Sequence, residues 1–348
     1  MRFQAIRRLR RAARWFRNRI AGGALILLYH RVAALPSDPQ LLCVAPARFA
    51  GHLELLRKHY RPLRLQELNE ALHDPTFPHR GVVLTFDDGY ADNLYHAKPL
   101  LERYEIPATV FVATGSIGRG REFWWDELER LLLQPGSLPE TLQLGINGSN
   151  FQWELIRASH YTDDDYRRDS SWNVLERDDP SPRHRLYRSL CRLLLPITEG
   201  ERARVLQEIA AWAGKGSEGR STHRALSPDE VVRLAEGELV EIGAHAVTHS
   251  VLSALPPATQ RSEILESRAQ LEDMLRRPVS SFAYPYGGRS DYTDETVAMV
   301  REAGYACACS NFADLVWKGS DCFQLPRVVV RNWDGGEFTH LLEEWFGG

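Results

Sequence analysis

The chain lacks a stretch fit to cross a bilayer, since the apolar run after its basic start, Ala21–Tyr29, is too short to span. That run ends in His30-Arg31 with no small-residue cleavage site, so no secretory leader is expected. An excess of charge of one sign is also missing. Lys and Arg total 43 against 46 Asp and Glu, a formal net charge of −3, and nothing in this balance indicates a nucleic-acid partner. Cysteine is sparse and unpatterned. Cys43, Cys191, Cys307, Cys309 and Cys322 are odd in number and without framework spacing, which argues against a disulfide scaffold and favours a reducing, cytoplasmic setting. Cys307-x-Cys309 falls on an alternating strand-like segment and reads as small core filler rather than a metal or redox pair. Repeats and low-complexity tracts are absent. What remains is an ordinary globular composition, 348 residues and 43% hydrophobic, enough for one large domain with an insertion or for two domains.

Against this plain background one stretch stands out, Thr85-Phe86-Asp87-Asp88-Gly89-Tyr90. It follows Gly81-Val82-Val83-Leu84, an apolar, β-branched run with the character of a buried parallel strand. Two adjacent carboxylates therefore sit where a strand runs out into a loop, the rim at which α/β folds place their chemistry. Both cannot be cheaply ionised in a partly dry site without a cation or a proton between them. One acid on a metal and the other free as a base is a natural division. Asp-Asp-Gly alone is equally a turn.

A second cluster, Glu241-Ile242-Gly243-Ala244-His245-Ala246-Val247-Thr248-His249, again follows a strand-like run, Leu239 to Ile242. Histidines four apart can face one point if the chain turns helically after the strand. Two imidazoles and a carboxylate leave positions open for water and substrate, as in catalytic divalent sites. A third stretch, Phe282-Ala283-Tyr284-Pro285-Tyr286-Gly287, completes the set.

Thr-Phe-Asp-Asp-Gly, His-x-x-x-His and the Tyr-Pro-Tyr-Gly stretch, in this order and at strand ends, resemble the polysaccharide deacetylase family, the NodB-homology or carbohydrate esterase 4 domain. The resemblance implies an α/β fold, a distorted (β/α) barrel with fewer than eight strands. It assigns Asp88, His245 and His249 to a divalent metal, Zn²⁺ first with Co, Ni or Mn open, Asp87 to the general base, and the backbone N–H of Tyr286 to an oxyanion hole. An acetylated glycan is the expected substrate, with removal of acetyl from N-acetylhexosamine units ahead of O-deacetylation, other amide hydrolysis, or glycan binding without turnover.

Departures from the family pattern matter. Ala283 stands where an Arg is usual and Ala246 where Thr or Ser is usual after the first His; the late Leu-x-His motif appears as Leu325-Pro326-Arg327. Arginine is a poor general acid. Arg327 is therefore expected to pair with Asp87 in place of an Arg at 283. His30, delivered to the same rim by the strand-like Ala24–Tyr29, is expected to donate the proton to the leaving amine.

The rest of the chain divides around these motifs. Residues 1–20 hold eight arginines and no acid, with Ile6, Leu9, Ala13, Phe16 and Ile20 three and four apart. This is a basic amphipathic helix that either lies on an anionic membrane surface, at the inner face, or packs on the barrel. Barrel segments are expected over 21–113 and 227–335, with a C-terminal helix over 336–348. Helical runs from Pro46 and over Leu65–Leu72 should pack outside the sheet. Ser227-Pro228-Asp229-Glu230 opens another helix, and 258–276 is a long one with Ile264, Leu265, Leu271 and Leu275 on its buried side. Residues 114–226 form an insertion, mostly helical, with a helical pattern from about His184 to Trp212; a structureless loop of that length is implausible. Five of the nine tryptophans fall here; most should form the insertion's own core, and Trp124 and Trp125 are placed to reach the site. Asp163–Arg185, crowded with charge, reads as solvated surface or a flap.

Overall fold

Strand-forming apolar runs and helical patterns alternate along the chain as the sequence leads one to expect. The computed structural model describes residues 23–74, 77–216 and 218–347; the amphipathic start at 1–20 lies outside the described residues. In chain order come β1 (Ala24–Tyr29), α1 (Pro46–His59), α2 (Leu65–Ala71), β2 (Gly81–Phe86), α3 (Lys98–Tyr104) and β3 (Ala108–Val112). The segment expected as an insertion contributes α4 (Trp124–Leu132), a hairpin of β4 (Thr141–Ile146) and β5 (Ser149–Glu154), then α5 (Asp163–Asp169), α6 (Pro182–Leu194) and α7 (Glu199–Trp212). Next are α8 (Pro228–Leu234), β6 (Val240–Ala244), α9 (Pro257–Leu275), β7 (Ser281–Ala283), α10 (Asp294–Glu302), β8 (Cys307–Cys309), β9 (Val328–Val329) and α11 (Gly335–Phe346).

The parallel strands lie in the order β8-β7-β6-β3-β2-β1-β9. Leu325 bridges to Cys309 at one edge, and three residues later Val328 pairs with Leu27 at the other. The segment 325–329 thus carries the sheet across its own gap and closes a distorted barrel.

Because alternate side chains of a strand share a face, the sheet feeds two cores. Leu25, Leu27 and Tyr29 of β1 and Leu84 and Phe86 of β2 face the surrounding helices, meeting Leu53 of α1, Val231 of α8, Ile264 of α9 and Phe338 of α11. Ala24 and Ile26 of β1, Val83 of β2, Phe111 of β3 and Cys307 and Cys309 of β8 fill the barrel interior. The cysteines are thus the core filler expected of them. Helix α2 is a correction: Leu65 and Leu68 join this interior cluster rather than packing outside, since α2 lies under the amino ends of the strands and plugs the barrel.

Two further expectations change. Leu265 of α9 is exposed, because the buried stripe runs through Ile264, Ser267 and Leu271 instead. Asp163–Arg185 is folded rather than a flap: Thr162 caps α5, and Trp172, Arg183 and His184 are buried. Charge density was misleading there, because Arg183 caps the backbone carbonyls of Ala158, Leu132, Gln134, Gly136 and Ser159. The 114–226 segment as a whole has its own core, in which Leu128, Leu142, Trp172, Tyr187 and Ile209 meet, with Trp153 and Trp212 packed at its margin.

Candidate active site

The inward-facing rows of the strands determine the site. Extended past the carboxyl ends, Ile26 and Leu28 lead to His30, Val83 and Thr85 to Asp87, Gly243 to His245, and Cys307 and Cys309 to Asn311. All four end residues line one cleft of about 360 Å³. The ladder persists one step beyond the strands, with Asp87 N–H donating to Tyr29 O at 3.0 Å and His245 N–H to Val112 O at 3.1 Å. Gly243 keeps the row tight, since a Cβ there would lie 2.7 Å from Ser281 Oγ and closer still to the Phe111 ring.

At the floor, ligand atoms of Asp88, His245 and His249 lie within 4.8 Å of one another, all three buried. Asp88 Oδ1 is 3.1 Å from His249 Nε2 and 3.8 Å from His245 Nε2. Atoms coordinating one ion at ~2.0–2.2 Å in tetrahedral positions sit roughly 3.4 Å apart, so the set fits a divalent metal with little movement. His245 Nδ1 donates to Ala283 O at 2.7 Å, which leaves Nε2 as the lone pair facing the triad. Burial lowers the His245 pKa to about 4 against the pull of Asp87, so the ring is neutral and able to ligate at pH 7. Burial would raise the Asp88 carboxyl, but His249, His30 and His245 together hold it at about 2.

Asp87 has a different partner. Arg327 Nη1 and Nη2 donate to its two oxygens, each at 2.7 Å, the arginine being 1% exposed. The remaining guanidinium donors reach Ser310 O at 2.8 Å and Thr85 Oγ1 at 3.3 Å. Burial pushes the Asp87 carboxyl up, yet Arg327, with His245 and His30, outweighs it and holds the group below the usual carboxylate range. The arginine absent at position 283 is thus supplied from position 327, as expected.

The two histidines do not converge through a helical turn. After β6 the backbone is irregular, and Ala246 and His249 adopt left-handed φ values of 60° and 54°. Asp88 (73°) and Tyr286 (61°) share this conformation, so four of the site's non-glycine residues sit in a region that L-residues disfavour. Glu263 of α9 holds the histidine loop: its carboxylate accepts from Val247 N–H and Thr248 N–H at 2.8 Å each and from Thr248 Oγ1 at 2.7 Å. No motif announced it. A buried Glu at the seventh position of a long helix was the available signal.

His249 is oriented by packing. Among the described residues its Nδ1 is buried without a hydrogen-bond partner, while its ring stands edge-on to Tyr286 (4.7 Å) and Trp125 (5.2 Å). Trp125 is fixed in turn, Nε1 donating to Tyr90 Oη at 2.8 Å and Tyr90 donating to Asp126 Oδ2 at 2.6 Å. Burial raises the Asp126 carboxyl to about 7. Both tryptophans singled out in the sequence line the cleft, and Trp124 Nε1 donates to Tyr286 Oη at 3.2 Å.

His30 lines the cleft as well; burial lowers its pKa, partly offset by Asp88 and Asp87. Asn311, unnoticed in the sequence although two residues past β8, donates through Nδ2 to Tyr286 O at 3.0 Å and so steadies the left-handed turn. The far wall is made by Val174 and by α6 with the residue after it, through Arg188, Cys191, Arg192 and Leu195. Their recurrence at i, i+3, i+4 and i+7 marks one helix face, but nothing local in the sequence says what that face meets.

With this geometry in place, comparisons with known proteins agree. The sequence model of the family described as Polysaccharide deacetylase matches residues 74–143 and 208–308, entering both ends of the 114–226 segment. The chain is 29% identical over 119 residues to YxkH of Bacillus subtilis, covering 34% of this chain and 41% of that protein. It is 31% identical over 108 residues to the poly-beta-1,6-N-acetyl-D-glucosamine N-deacetylase of Staphylococcus aureus, covering 27% and 37%. The chain therefore aligns with only about two fifths of the length of these relatives. The fold is shared with the Streptococcus pyogenes deacetylase PplD, solved in complex with acetate: TM-score 0.57 at 16% identity, covering 93% of this chain and 99% of that one. Barrel, motif order and family match together establish that the chain belongs to the polysaccharide deacetylase family.

Proposed function

We propose that this protein is a metal-dependent hydrolase that removes acetyl groups from N-acetylhexosamine units of a cell-envelope or exopolysaccharide glycan or its precursor. The observation that carries the reading is the Asp88–His245–His249 triad beside an Asp87 held ionised by Arg327, at the floor of a cleft. The name of the Staphylococcus aureus relative supports the amide linkage and the sugar.

A divalent ion in such a site, Zn²⁺ by its donor set, supplies Lewis-acid polarisation of a carbonyl and a lower pKa for water. Asp87 takes the proton of the attacking water. Arg327 keeps that carboxylate charged and fixes its plane. The backbone N–H of Tyr286 donates to the oxygen that becomes negative as the acetyl carbon turns tetrahedral; a donor of this kind is worth ~2.7–4 kcal/mol of barrier. Asp87, whose protonated form Arg327 disfavours, passes that proton on to His30, and His30 hands it to the amine nitrogen as the C–N bond breaks; the products are acetate and a free amino sugar. Asp87 cannot easily play both parts, because Arg327 disfavours its protonated form. In the same reading, residues 114–226 are an insertion that walls the cleft, and residues 1–20 attach a cytoplasmic protein to the inner membrane face. Sedimentation of the full chain with anionic but not neutral vesicles tests the attachment.

The deciding experiment is acetate release from N-acetylated and O-acetylated glycans by metal-stripped protein with Zn²⁺ restored, alongside Asp87→Asn. Release that needs the metal and disappears in Asp87→Asn supports the reading. Stoichiometric metal binding with no release from any acetylated glycan would sink it.

A further inference from the structure

The charged groups around the cleft are almost all committed. Asp87 is neutralised by Arg327, and Asp88 lies against His249. Of the two arginines on the α6 wall, Arg188 is tied down: Nε donates to Asp179 at 2.8 Å, Nη2 to Glu176 O at 2.9 Å, and its plane lies 5.1 Å over Trp172. Its work is to hold the loop that presents Val174. Arg192, one turn further on, differs. It is exposed, lines the same cleft, and has no hydrogen bond, ion pair or ring contact among the described residues. Among the described residues no acid other than Asp87 and Asp88 lines the cleft to satisfy it.

The surroundings increase what a free guanidinium does there. Leu195 and Val174 lie on its wall and Leu42 belongs to the same cleft, and apolar walls of this kind focus a field and weaken competition from water. A guanidinium presents a planar fork that matches the oxygens of a phosphate or carboxylate. The cleft volume is near the lower end of the ~300–1,000 Å³ of small-molecule pockets, so a ligand with its acetamido group at the triad has room for about one sugar and a substituent.

We propose that Arg192 is a specificity-determining residue that selects a substrate whose N-acetylhexosamine carries an oxyanion, a phosphate or a carboxylate, on or next to the sugar. The proposal rests on the deacetylase reading for the position of the acetamido group and extends it to a class of charged glycan.

The test measures binding and turnover separately, with the zinc-loaded full chain. N-acetylglucosamine 1-phosphate, a glucuronate-containing N-acetylglucosamine disaccharide and neutral di-N-acetylchitobiose are titrated against wild type, Arg192→Gln and Arg192→Lys, following tryptophan fluorescence and acetate release. Wild type should bind at least one charged ligand tenfold or more tighter than the neutral one. Arg192→Gln should abolish that preference while leaving neutral-ligand binding within twofold, and Arg192→Lys should restore part of it. Preference for only the phosphate, or only the carboxylate, identifies the oxyanion and supports the assignment. Absence of preference in wild type, its survival in Arg192→Gln, or equal losses on charged and neutral ligands would overturn it. A charge preference dependent on Arg192 without acetate release removes the hydrolase reading and leaves the oxyanion site standing. Equal acetate release from all ligands by both wild type and Arg192→Gln does the reverse.

Discussion

Arg327 and Asp87, 240 residues apart in the chain, meet inside the barrel mouth in a two-pronged ion pair, 2.7 Å on each prong. Removing the guanidinium strands a buried carboxylate, which typically costs ~3–5 kcal/mol. Arg327→Ala should therefore lower the thermal midpoint markedly. Arg327→Lys keeps a charge without the fork, so it should fold and move the acid limb of the pH–rate profile to higher pH, because Asp87 is no longer held as far below its usual range. An unmoved acid limb in a folded Arg327→Lys protein would remove Arg327 from control of the base.

Acid stability follows with a definite sign. His245 is held at about 4, below its ordinary 6.5, and Asp88 at about 2, below 3.8. In both cases the unfolded chain takes up the proton first, so stability is lost as pH falls. Metal-free protein should weaken from about pH 6.5 towards 4 through His245, and again from about 3.8 towards 2 through Asp88. Denaturant unfolding of the apoprotein against pH, with His245→Gln as the comparison, checks this; in that variant the upper step should shrink but persist, because burial holds His52, His184 and His223 below their usual range as well.

Glu263 touches no ligand atom, yet it holds the loop between the two histidines. Glu263→Ala should weaken metal binding about 10- to 100-fold, the usual effect of losing an outer partner, with the protein still folded. Competition against a chromophoric chelator measures it. Unchanged affinity would mean that the aromatic packing around His249 suffices.

A proton donor matters most for a poor leaving group. His30→Asn should cut amide turnover by ~10²–10⁴-fold while hydrolysis of an activated aryl acetate falls far less. Parallel losses on amide and ester would reassign His30 to positioning.

Gly243→Ala places a methyl against Phe111 and Ser281 at the strand that delivers His245. Overpacking of this sort costs ~1–3 kcal/mol. Denaturant midpoints should fall accordingly, with metal affinity reduced alongside.

The parts of the site that were legible in the sequence are those a strand can place. Asp87, His245 and His30 follow apolar runs whose period-two alternation fixes the face they leave on. The pairing of Arg327 with Asp87 was also legible, because the family resemblance marks a missing charge at 283 and a surplus one at 327. What escaped depends on distance or on irregular backbone. The left-handed turns at Ala246 and His249 replace the helical turn that the i, i+4 spacing suggested, and the spacing alone cannot distinguish them. Glu263 looks like any acid on an amphipathic helix until the loop it clamps is seen. The alternation of the β4–β5 hairpin is masked by the tryptophans and charges around it, and nothing local ties Arg192 to a cleft whose floor comes from Asp87 and Asp88 before it and from His245 and His249 after it.

The segment that completes the ring of strands also brings Asp87 its counter-charge. Assembly and competence are therefore a single event. A ribosome-bound chain that has released both aspartates and both histidines already has its three ligands, but its base still lacks the guanidinium that keeps it ionised. On the proposed reading, the docking of residues 325–329 is therefore what would turn a metal site into a hydrolase.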